Sequence, residues 1–185
     1  MKKKLMYILV IILAVVIGLY FVLDKRIHVQ KELVVNKKVE EVWEVMGNQF
    51  ARVHLWSTNF KDSKPGGSSK FPGLDYSARI TVTDRGETIQ ELDAFDTAEH
   101  SLAYHISKGA PGIAKQASAI WSLNSDEADK TIVVLEFNME TKGFLGFLMT
   151  PMIKMGMGKS AAEIAGDLKY YVENGTPHPR KVKIQ

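Results

Sequence analysis

Leu5 to Leu23 is a run of 19 residues without a charge, and it divides the chain before anything else is read. As a helix it would be about 28 Å long, close to the hydrocarbon thickness of a bilayer. Lys2, Lys3 and Lys4 precede it, and Asp24, Lys25 and Arg26 follow it. Tyr20 sits near one end, where an amphipathic ring suits the interface. A signal peptide is the alternative, but its apolar stretch is normally about 7–15 residues and ends at a small-residue cleavage site. Here the stretch is longer and charged residues come next. Residues 1–26 therefore read as a membrane anchor through residues 5–23, and residues 27–176 as one folded domain. Residues 177–185 read as an extended, exposed basic tail. The leading lysines place the N-terminus in the cytoplasm and the domain outside, although Lys31, Lys37 and Lys38 weaken that bias.

The anchor also explains the net charge of +3. Outside residues 1–26 the chain carries 19 basic and 20 acidic residues, so no basic surface is left for nucleic acid. Cysteine is absent, which removes thiol chemistry and thiolate metal sites. His28, His54, His100, His105 and His178 show no metal-ligand spacing. Gly156-Met-Gly-Lys-Ser160 is half a phosphate loop, with Ile153 where a glycine is needed. Glu91 and Asp93 share a strand face and read as exposed charge. No cofactor is expected.

Ile27–Val35 alternates like a strand. Asn36 is placed to cap a helix whose face is Val39, Val42, Trp43 and Met46, ending at Gly47, with a short helix to follow over Asn48–His54. Lys61–Gly73 is rich in glycine, serine and proline and reads as a loop. Five strands are predicted next, over Asp75–Thr83, Glu87–Phe95, Ser101–Ser107, Lys115–Asn124 and Lys130–Thr141. The faces predicted to meet the core are Tyr76, Ala78, Ile80 and Val82; Leu102 and Tyr104; Ala117, Ala119, Trp121 and Leu123; and Val133, Leu135, Phe137 and Met139. A long helix starts near Phe144 or at Pro151 and stops at Asn174-Gly175. Gly143, Gly146, Gly156 and Gly158 weaken its first half, which reads as a gate for ligand entry. Met149, Met152, Met155 and Met157 suit a face that adapts to varied apolar shapes. Antiparallel strands with helices on one side give an α+β fold. The same faces fit either a filled core or a cavity.

The order of elements resembles the START/Bet v 1-like (SRPBCC) superfamily, in its polyketide cyclase/dehydrase branch. The residues that carry the likeness are Val35–Val45, Trp56, the meander Asp75–Ser107, Trp121-Ser122-Leu123 and Leu168–Glu173. The resemblance implies a helix-grip fold, a curved antiparallel sheet wrapped around the last helix. It also implies a cavity that binds a hydrophobic small molecule or lipid. Trp56, Tyr104, Trp121, Phe137, Met149, Met152 and Ile153 are the expected lining. A cyclase/dehydrase-like enzyme and a ligand-free interaction module are the alternatives.

Overall fold

A computed structural model describes residues 2–22, 25–127 and 129–182. Leu23 of the apolar run, its flank Asp24, Ala128 of the last predicted turn and tail residues 183–185 lie outside the described residues.

Helix α1 spans Lys2–Val22, with its apolar window unburied, and touches the domain at its end through Tyr20. It is long and apolar enough to cross a membrane. Strand β1 (Arg26–Val35) follows at once. The remaining strands are β2 (Asp62–Gly66), β3 (Ala78–Thr83), β4 (Gly86–Asp96), β5 (Ser101–Lys108), β6 (Ala114–Glu127) and β7 (Lys130–Thr141). They form one sheet in the order β1-β7-β6-β5-β4-β3-β2, with every neighbouring pair antiparallel. Helix α3 (Gly143–Asn174) packs on this curved sheet and completes a helix-grip fold. It ends where Gly175 turns left-handed at φ 70°.

Between β1 and β2, helix α2 (Val39–Trp43) buries Val42 and Trp43. A π-helical turn over Glu44–Asn48 continues it, and a 3₁₀ segment over Phe50–Leu55 leads Trp56 into the core. Gly47 therefore lies inside the helical segment instead of ending it. A Cβ there would come within 2.5 Å of the Trp43 indole, so the π turn closes over that ring only with glycine.

The structure departs from the sequence reading at several other points. Asp62–Gly66, expected as loop, is strand β2, with Pro65 on the sheet edge where its missing N–H is tolerated. Asn36 does not cap α2. Its backbone N–H and its side chain both donate to Glu173 Oε1, at 2.8 and 2.9 Å. On β3 the predicted face holds only in part: Ala78 is buried and Tyr76 packs against the core, but Arg79 and Thr81 are buried too, while Ile80 and Val82 are half-buried. Helix α3 starts at Gly143, beside Phe144, one of the two expected starts, and holds Pro151, the other, within its length. The tail is neither extended nor wholly exposed, since Pro179–Val182 forms a short helix, α4, with Lys181 buried.

Candidate functional site

The strand period puts Tyr104 of β5 and Trp121 of β6 on the wall that faces α3. The 3₁₀ segment brings Phe50 and Trp56 against them. Ring centroids lie 5.3 Å apart for Phe50–Tyr104, 5.6 Å for Tyr104–Trp121, and 6.4 Å for both Trp56–Trp121 and Trp121–Phe137. Trp56, Tyr104 and Trp121 are almost fully buried. At this end the aromatic rings fill the interior.

Arg79 lies among these rings, itself fully buried. Its Cζ is 3.9 Å from the Phe50 ring centroid, 5.0 Å from Tyr104 and 5.2 Å from Trp121. Its Nε donates to Gln90 Oε1 at 2.7 Å and its Nη1 to the Phe50 carbonyl at 2.9 Å. Among the described residues Nη2 makes no hydrogen bond of good distance and angle, and neither do the indole N–H groups of Trp56 and Trp121, although the Tyr104 hydroxyl lies beside the guanidinium and interacts with it. Burial pushes the Arg79 pKa down to about 10, with the Tyr104 hydroxyl opposing the shift. The Tyr104 hydroxyl is pushed up by burial, against the pull of Arg79. A guanidinium over aromatic faces gains cation–π attraction, yet a buried charge without an acid costs several kcal/mol, roughly, in desolvation. The site is thus rich in donors and short of acceptors.

The sequence reading missed Arg79, Gln90 and Phe50. It put the polar residues of β3 outside. The cross-strand register pairs Arg79 with Gln90 and Thr81 with Thr88, with the two threonine hydroxyls 2.7 Å apart. Polar residues at matching positions of neighbouring strands were the available signal.

The other predicted residues lie on the first half of α3 and on β7. Ile164, Ala165 and Leu168 are buried against the sheet. About two to five turns earlier on the same helical side, Met149, Ile153 and Met157 are only partly buried, as are Phe137 and Met139 of β7. Side-chain cover therefore thins over Met149–Met157, between the buried Gly146, where a Cβ would come within 3.2 Å of the Ile113 carbonyl, and the buried Ile164–Leu168 stretch. Met152 is 56% exposed, turned to solvent beside the partly buried Met149. Two surface concavities lie elsewhere. One of about 460 Å³ lies between α2 and the end of α3, lined by Glu40, Glu44 and Tyr171. One of about 630 Å³ lies beside β2, lined by Asn48, Arg52, Gly67 and Tyr76.

A family model described as polyketide cyclase / dehydrase and lipid transport matches residues 26–173. A search of curated proteins finds no match. Among solved structures, a START superfamily protein from Mycobacterium smegmatis is 17% identical, with TM-score 0.65 over 80% of this chain and 99% of that one. The Zhui aromatase/cyclase from Streptomyces is 17% identical, with TM-score 0.64 over 83% and 99%. A protein from Nitrosospira multiformis is 20% identical, with TM-score 0.64 over 80% and 97%. At these identities the likeness is one of fold.

Proposed function

The chain belongs to the polyketide cyclase/dehydrase and lipid transport family of the START/SRPBCC superfamily, and from that premise we propose that it binds a hydrophobic small molecule or lipid between its sheet and α3. The thin cover of α3 over Met149–Met157 carries the proposal. Its buried half holds the fold, while Met149, Ile153 and the facing Phe137 are apolar and incompletely covered. A guest covering them would gain about 25 cal/mol per Å² of apolar surface removed from water. Deeper in, Arg79 Nη2 and the indole N–H groups of Trp56 and Trp121 offer donors that make no hydrogen bond of good geometry among the described residues. A guest with an apolar body and an oxygen-bearing end, a carboxylate above all, matches that order. Met152 plays no part in this lining.

In the same proposal α1 is an uncleaved anchor that holds the domain at a membrane, on the outer side by the lysine bias. A tethered binder meets apolar ligands where they are concentrated. Native mass spectrometry of the full chain released from lipid nanodiscs tests the reading. One apolar mass retained per chain is expected, and persistently empty protein refutes it.

The buried Arg79–Gln90–Tyr104 group favours a second reading, a cyclase/dehydrase-like enzyme acting on an apolar substrate. Such chemistry needs polar groups inside an apolar site, and this is one. The same experiment separates the two. A captured ligand that keeps its mass on incubation supports a binder, and one released with a changed mass supports an enzyme.

A further inference from the structure

The first half of α3 is apolar on two opposite sides. Its inner side carries Met149, Ile153 and Met157. Its outer side carries Phe144, Leu148, Met152 and Met155, spaced by four, four and three, with Leu145 beside them. These five are 41%, 51%, 56%, 73% and 62% exposed in that order. A helix apolar all round is normally buried all round, and a contiguous exposed apolar patch marks an interaction surface.

Three further observations identify what covers the patch. No acidic residue occurs from Thr141 to Ala162, whereas Lys142, Lys154 and Lys159 do. The end of α1 is joined to the start of α3: Tyr20 meets Phe144 and Phe147 edge-on, at centroid distances of 5.8 and 5.6 Å. Lys25 Nζ lies 3.8 Å from the Tyr20 centroid, and the Thr141 N–H donates to the Lys25 carbonyl at 3.0 Å. The patch therefore begins where the apolar helix leaves off.

We propose that the outer side of residues 144–155 docks into an anionic bilayer surface, the one that α1 enters. The apolar side chains sit at the boundary of headgroups and acyl chains, and the lysines contact lipid phosphates. The inner side of the same helix then opens toward lipid. This rests on the reading of α1 as a membrane anchor.

The cysteine-free chain allows single labels. Leu148→Cys, Met152→Cys and Met155→Cys would carry nitroxides in the full-length protein, in nanodiscs of mixed phosphatidylcholine and phosphatidylglycerol. Thr97→Cys, in the exposed turn between β4 and β5, is the control. Collisions with lipid-soluble oxygen, relative to a water-soluble nickel chelate, should be at least threefold higher at the three helix sites than at Thr97→Cys. Equal ratios overturn the proposal. High ratios that appear only in discs holding two chains identify a second copy as the occupant, and also overturn it. Failure of the chain to enter discs overturns the anchor and the docked helix together. Ligand retention is read separately on the same discs. Water-exposed labels with ligand retained remove the docking alone, and lipid-facing labels on ligand-free protein remove the binding reading alone.

Discussion

Arg79 carries a positive charge into a place that water does not reach, and its company is a carbonyl, an amide oxygen and four aromatic rings. Replacing a buried, incompletely paired charge by an apolar side chain of similar length removes its desolvation cost. It also strands Gln90 Oε1 and the Phe50 carbonyl, at about 1 kcal/mol each or more. Arg79→Met should therefore melt within a few degrees of the parent chain. Its effect belongs to binding: affinity for a carboxylate-bearing apolar ligand should fall tenfold or more, about 1.4 kcal/mol. Affinity for the matching uncharged alcohol should stay within about twofold, because it never used the charge. Calorimetry with the acid and alcohol pair checks this, and equal losses for both would mean that Arg79 only supports the rings.

Helix α3 has a firm half and a loose half, and Gly156 and Gly158 lie in the loose one. A Cβ added at Gly156 or Gly158 would meet nothing within 4 Å, so alanine fits at both. Each replacement should stabilise the helix by about 1 kcal/mol from backbone propensity alone. The double variant Gly156→Ala/Gly158→Ala should melt about 4–8 °C higher by that reckoning. If ligand enters by opening this half, as the glycine content of the sequence suggests, uptake should slow by about tenfold or more. Stopped-flow uptake of a fluorescent fatty acid tests this. A raised melting point with unchanged uptake would place the entrance elsewhere.

Across the molecule, a buried carboxylate ties the chain's end to its middle. Asp167 on α3 is fully buried and accepts from the Thr58 N–H at 2.7 Å, the Thr58 hydroxyl at 2.6 Å and Arg180 at 2.9 Å. Next to it, Lys181 Nζ donates to the carbonyls of Ser57 and Phe60, each at 2.9 Å. Burial pushes the Lys181 pKa down, against the pull of Asp167. Asp167→Ala leaves the Thr58 and Arg180 donors without that acceptor and should cost about 2–4 kcal/mol, read as a lower urea midpoint with an unchanged slope. A midpoint like that of the parent chain would show that α4 is not needed to hold the fold. The sequence alone determined the apolar run, the strand faces of Leu102, Tyr104, Trp121 and Leu135, and the helix stop at Gly175, since periodicity and turn chemistry are local properties. Strand β2, the inward Arg79, the outward Met152 and the docking of Lys181 were decided by the tertiary structure. Period says which residues share a face, but the face that meets the core is chosen by partners distant in sequence, such as Gln90 and Phe50 for Arg79 and Ser57 and Phe60 for Lys181.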